Sequence, residues 1–137
     1  MTDNPRKEAV ATVGSRRVLL LDSITWLDDG DEGHIVVSGS HGGRSAGEYA
    51  VQRPLALCCL NDAGVGKDRA GIVALDMLEA RGTPAVAYGH TSARIGDARD
   101  AWENGVVTHV NAHARALGLA PGQRLRDAIS RLRITNP

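Results

Sequence analysis

Reactive side-chain types recur at the carboxyl ends of aliphatic runs in this sequence. Asp22 and Ser23 follow VLLL, and Ser38, Ser40 and His41 follow HIVV. Asn61, Asp62 and Lys67 follow LALCCL, and His90, Ser92 and Arg94 follow PAVAYG. Histidine exchanges a proton near neutral pH. A serine beside a base can serve as a nucleophile, and lysine and arginine hold carboxylates. The set Ser40, His41, Lys67 and His90 is therefore the expected catalytic group. Ser40 would act as nucleophile or positioning hydroxyl, and either histidine as the acid/base.

Two glycine-rich loops carry the second chemical expectation. In SHGGRS, Gly42 and Gly43 let backbone N–H groups approach a ligand, and a helix starting near Ser45 would add a positive dipole end. In NDAGVGKD, Gly64 and Gly66 offer the same, followed by Lys67. Amides in such loops suit a carboxylate, a phosphate or a developing oxyanion. The second loop lacks the phosphate-loop spacing, and Asp68 stands where a hydroxyl residue is required, so nucleoside triphosphates are excluded. A small anionic substrate remains, bound by Ser38, Gly42, Gly43, Asn61, Asp62, Gly64, Gly66, Ser92 and Arg94, with Asp62 and Asp97 orienting the cations. Sharp turning and capping explain the same residues without a ligand.

Metal binding is expected to be absent. Asp22, His41, Asp62 and His90 lack tight ligand spacing. His109 and His113 would share a helix face, but Val110 stands where a zincin needs glutamate. No cofactor is expected. The α/β-hydrolase elbow G-x-S-x-G is also missing. Cys58 and Cys59, adjacent in an apolar run, read as packing residues that cannot easily bond to each other.

The stretch SGSHGG, followed by a helix and a strand ending NDAGVG, resembles the caspase and metacaspase pattern of strand-end Ser-Gly-His-Gly and Asp-Ala-Cys-x-Gly. His41 matches the family histidine with one inserted serine. Ala63 and Gly64 occupy the stretch of the nucleophilic cysteine, so the resemblance implies a related sheet topology without that peptidase chemistry.

These side chains need a scaffold. VLLLDS (18–23), HIVVSGS (34–40), LALCCL (55–60) and PAVAYGH (84–90) read as buried strands. Ser45 and Glu48 form a capping box for a helix reaching Arg53, before Pro54. Asp68 can cap a helix over 69–81, stopped by Gly82. A short helix ends near Gly105, and further helices are expected over 106–118 and 122–133. The alternation predicts an α/β three-layer sandwich, with a mostly parallel sheet of about four strands and helices on both faces. About eleven residues join the first two strands, short for a parallel crossover of a dozen or more, so that strand's direction stays open.

At 137 residues the chain reads as one domain, with residues 1–16 as a flexible arm. The formal charge of +0 and an aromatic content of 3% argue against nucleic-acid or anionic-membrane partners. The N-terminal stretch has charge but no apolar run, the pattern of neither a signal peptide nor a membrane span. A cytoplasmic location is expected, and a homo-oligomer is possible. The expected activity is hydrolysis or lysis of an acyl or C–N bond in a compact carboxylate-bearing metabolite. The alternative is a non-catalytic small-acid-binding regulatory module or accessory subunit using the same crevice.

Overall fold

The computed structural model describes residues 7–132. Residues 1–6 of the expected arm, and position 133 of the last expected helix, lie outside them. The aliphatic runs become neighbouring strands of one sheet: β1 (Lys7–Val13), β2 (Arg16–Leu21), β3 (Ile35–His41), β4 (Leu57–Asn61), β5 (Ala85–Tyr88) and β6 (Val107–Val110), side by side in chain order. Strands β2 to β5 run parallel, while β1 pairs antiparallel with β2 and β6 antiparallel with β5.

The α/β class holds, and the sheet corrects the expectation in three places. It has six strands and is mixed. Residues 7–13 of the expected arm form an edge strand, paired from Lys7 opposite Leu21 to Val13 opposite Arg16 with a register shift between Ala9 and Ala11. The span 106–118 is strand β6 followed by helix α4 (Ala112–Ala116). Val106, Val107 and Thr108 favour extended backbone through branching at Cβ. Asn111 then ends the strand and caps α4, accepting from Ala114 N at 2.9 Å. The direction of β2 is settled as parallel, its crossover being two single 3₁₀ turns, Ile24–Trp26 and Asp29–Asp31.

Strand order fixes the layers. Right-handed crossovers that all step the same way across a sheet put their connections on one face. That face carries Ile24, helix α1 (Arg44–Ala50) and helix α2 (Val73–Ala80), packed on Leu19, Leu21, Val36, Cys58, Leu60 and Ala87. After β5 the chain passes to the other face. There α3 (Ala98–Asn104), α4 and α5 (Leu125–Ser130) cover Val18, Leu20, Val37, Cys59, Val86 and Tyr88. Alternate residues of each parallel strand serve opposite cores, which explains their unbroken aliphatic character. The described residues thus form helix, sheet and helix layers.

Helix starts depart from the expectation. Gly43 rather than Ser45 is the residue before α1, and no side-chain cap is made there. Asp68 does not cap α2, which begins at Val73 after a run of tight turns over Lys67–Ile72. Both places lie in the glycine-rich loops.

Candidate functional site

The segment 89–97, which links β5 to α3, is clamped across the carboxyl ends of the neighbouring strands. Asn61 Nδ2 donates to the carbonyl of Ala93 at 3.0 Å, and Gly96 N donates to the carbonyl of Gly39 at 2.7 Å. Asp22 Oδ1 accepts from Ala98 N at 2.9 Å, just past the segment. Beneath it, the Tyr88 hydroxyl donates to the carbonyl of Ser38 at 2.7 Å, and burial pushes the Tyr88 phenol far up. Asn61 and Asp22 are therefore engaged in fastening this strap and its junction with α3, while the Ser38 carbonyl is taken by Tyr88 of β5. Asp97 caps α3, accepting from Asp100 N at 3.0 Å.

His41 and His90 line separate hollows. One, of about 120 Å³, is lined by Ile24, Thr25, Ser40, His41, Ser45, Ala46 and Tyr49. The other, of about 300 Å³, is lined by His90, Thr91, Ser92, Ala93, Arg94 and Asp100. Lys67 is exposed and lines neither. Because strand order never reverses among β2 to β5, these strands have no switch point at which loops diverge to open one shared crevice. The structure does not bring the four expected catalytic residues together.

The two histidines also differ chemically. Gly43 N donates to His41 Nδ1 at 3.2 Å, so that nitrogen carries the lone pair and the neutral ring keeps its proton on Nε2. His90 Nδ1 lies 3.2 Å from Asp62 Oδ1, and a carboxylate only accepts, so here Nδ1 bears the proton and Nε2 the lone pair. His41 thus offers a hydrogen-bond donor outward and His90 a base. The His90 side chain is half exposed against 7% for Asp62.

Asp62 is held by several donors. Its Oδ1 also accepts from Gly64 N at 2.8 Å and His90 N at 3.0 Å, and its Oδ2 accepts from the Thr108 hydroxyl at 2.9 Å. Burial alone would raise its pKa, but these donors outweigh it and hold the carboxyl below its ordinary value. Sequence reasoning named Asp62 and His90 separately and missed Thr108, which it placed in a helix. The β-branched run before His109 was the available signal.

The loop after Asp62 is bent into an unusual shape. Ala63, Val65, Asp68 and Arg69 have φ of 51°, 69°, 56° and 60°, all in the left-handed region. For a β-branched residue such as Val65 this costs on the order of 1 kcal/mol or more. Its amides are turned inward. Ala63 N donates to Asn61 Oδ1 at 2.8 Å, Val65 N to the carbonyl of Asp62 at 2.7 Å and Gly66 N to the carbonyl of Gly64 at 2.8 Å. Gly42 N donates to the carbonyl of Asn61 at 2.9 Å. The amides of Gly42, Gly43, Gly64 and Gly66 all have partners within the chain, so this arrangement spends the donors that the sequence offered to an oxyanion.

The remaining hydroxyls and cations serve local structure or stand free of the histidines. Ser40 Oγ accepts from Ile24 N at 3.0 Å, and among the described residues no hydrogen bond links it to His41, Lys67 or His90. Ser38 Oγ accepts from Ser40 N at 3.0 Å. Ser92 Oγ donates to the carbonyl of Gly89 at 2.7 Å and accepts from Val106 N at 3.0 Å. Arg94 is a cation on the same hollow as His90, with an 81% exposed side chain and only loose approaches of 3.9 Å to Asp97 and Asp100. No group of three or more metal-ligating side chains occurs among the described residues, and no helix there is long and apolar enough to cross a membrane.

What the arrangement can do is exchange a proton at His90 Nε2, on a hollow that Arg94 also lines. Comparison with protein-family models, curated proteins and solved structures returns no match, so the likeness to the caspase pattern stands on the quoted residues alone.

Proposed function

We propose that this chain is a small enzyme that uses His90, oriented by Asp62, as general acid and base on a compact carboxylate-bearing metabolite. The preferred reaction is hydrolysis of an acyl or C–N bond. The observation that carries the reading is the Asp62–His90 pair at 3.2 Å, with the ring half exposed beside a hollow of about 300 Å³. Arg94 on the same hollow supplies the recognition of a substrate carboxylate. His90 Nε2 accepts a proton from water as the water oxygen attacks the acyl carbon. The imidazolium so formed gives that proton to the leaving nitrogen or oxygen, and Asp62 stabilises the positive ring between the two events. A water nucleophile is favoured over Ser40, because Ser40 has no base within hydrogen-bond reach among the described residues.

The test is turnover of a panel of small carboxylate-bearing amides and esters by the full chain and its variants. His90→Gln should lose about 10²- to 10⁴-fold in kcat, the usual worth of a positioned general base. Ser40→Ala should stay near the parent. Activity that survives His90→Gln, or that disappears in Ser40→Ala, would sink the scheme.

A second reading, a non-catalytic small-acid-binding module or accessory subunit, is favoured by the inward-turned amides of both glycine loops. In that case Arg94 alone holds the acid. Calorimetry with small dicarboxylates would then show binding lost in Arg94→Gln and unchanged in His90→Gln.

A further inference from the structure

We propose that Thr108 is a positioning residue for the Asp62–His90 pair and that it ties a second histidine, His109, to the same carboxylate. This rests on reading that pair as the reactive one. The Thr108 hydroxyl lies 2.9 Å from Asp62 Oδ2, the carboxylate oxygen that His90 does not use, and 3.3 Å from the carbonyl of Ala87. Both of these are acceptors, so the hydroxyl proton is spent on them. His109 Nδ1 lies 3.0 Å from the same hydroxyl oxygen and must therefore donate to it. The proton directions then run from His109 to Thr108 to Asp62, and from His90 to Asp62. They converge on the carboxylate from both sides.

Two consequences follow from that convergence. With donors on both oxygens, Asp62 cannot rotate about its terminal torsion without giving up hydrogen bonds. Its Oδ1 then stays where His90 Nδ1 needs it. Both imidazoles are also fixed as the Nδ1–H tautomer, which leaves Nε2 as the basic nitrogen of each. His41 and His34 take the opposite tautomer, because Gly43 N and Arg17 N donate to their Nδ1 atoms at 3.2 Å and 2.9 Å. The strand positions make this geometry possible. Ala87 faces His109 across the β5–β6 ladder, and Thr108 is the neighbour that reaches over Ala87 toward the end of β4.

Long-range ¹H–¹⁵N correlation spectra of the imidazoles in the full chain test this, recorded about two pH units above the ordinary histidine value so that the rings are neutral. His90 and His109 should show the Nδ1–H tautomer, and His34 and His41 the Nε2–H tautomer. Thr108→Val keeps the branched shape and removes the hydroxyl. It should move His109 to the Nε2–H form that free imidazole prefers and lower kcat on any substrate found about tenfold or more with little change in KM. Thr108→Ser, which restores the hydroxyl, should return both readouts. His109 in the Nε2–H form in the parent, or a His109 spectrum unchanged by Thr108→Val, overturns the proposal. The parent spectrum decides even if the valine variant does not fold. The tautomers are read without any turnover. Full activity in His90→Gln would therefore remove the proposed function and with it the kcat effect of Thr108, while the tautomers would still decide whether His109 is tied to Asp62 through Thr108, and the reverse failure is separately visible.

Discussion

His90 and Asp62 are 28 residues apart in sequence and meet at 3.2 Å, the imidazole Nδ1 against a carboxylate oxygen that the backbone of the same two loops also holds. The contact exists because β4 and β5 are hydrogen-bonded neighbours, with Asn61 opposite Tyr88 at their ends. Asp62 N also donates to the carbonyl of Tyr88 at 2.8 Å, so backbone and side chain register the two loops together.

Acylation by diethyl pyrocarbonate needs an unprotonated ring nitrogen. His90 presents Nε2 from a half-exposed ring, whereas the lone pair of His41 sits on Nδ1 against Gly43 N. Mass spectrometry after brief treatment should find His90 modified several-fold faster than His41, although His41 is also exposed. Equal rates would mean that the tautomers are not as the hydrogen bonds dictate.

The depressed pKa of Asp62 makes a stability prediction. A carboxyl whose folded-state pKa lies below its unfolded value contributes stability that is present above the ordinary carboxylate range. That contribution is lost as pH falls through the lowered value. Asp62→Asn replaces one acceptor by a donor among groups that all donate, and should cost about 1–3 kcal/mol at neutral pH. The gap to the parent, followed by urea unfolding, should close on acidification. A gap that stays constant or widens in acid would show that the donors around Asp62 do not lower its pKa.

Backbone strain after Asp62 can be relieved or increased by single substitutions. Ala63 is exposed at φ 51°, so Ala63→Gly should stabilise the fold by up to about 1 kcal/mol, strain relief exceeding the added chain entropy. Gly71 has the opposite constraint. A Cβ there would overlap the carbonyl oxygen of Asp62 and lie 2.9 Å from that of Val65. Gly71→Ala should therefore destabilise by about 1–3 kcal/mol, the usual cost of overpacking. Chemical denaturation of both variants checks the pair, and a shift of the same sign in both would mean that strain and crowding do not govern this loop.

Both thiols should be silent in the native state. Cys58 and Cys59 are fully buried on opposite faces of β4, and burial pushes Cys58 up to about 12 and Cys59 well above the ordinary thiol range. Ellman's reagent should report no fast thiol until denaturant is added. A rapid native reaction would show that β4 opens readily.

The aliphatic runs of β2 to β5 were legible from the sequence because a strand covered on both faces has no polar position to interrupt it. His90 and Asp62 were legible as residue types at strand ends. Their pairing was not, since only the neighbour order of β4 and β5 brings the two loops together. Strand β1 escaped notice because its outer edge faces solvent and its residues KEAVATV mix charge with small apolar side chains. Strand β6 read as helix because a four-residue edge strand running into a capped helix carries too few positions to show its own period. Local composition therefore determined which segments become buried strands and which residue types collect at one end of the sheet. Tertiary structure alone decided that the 89–97 strap crosses that end, consumes Asp22 and Asn61 as fasteners, and leaves His41 and His90 on different hollows. Those outcomes depend on hydrogen bonds between residues tens of positions apart, whose geometry no local pattern encodes.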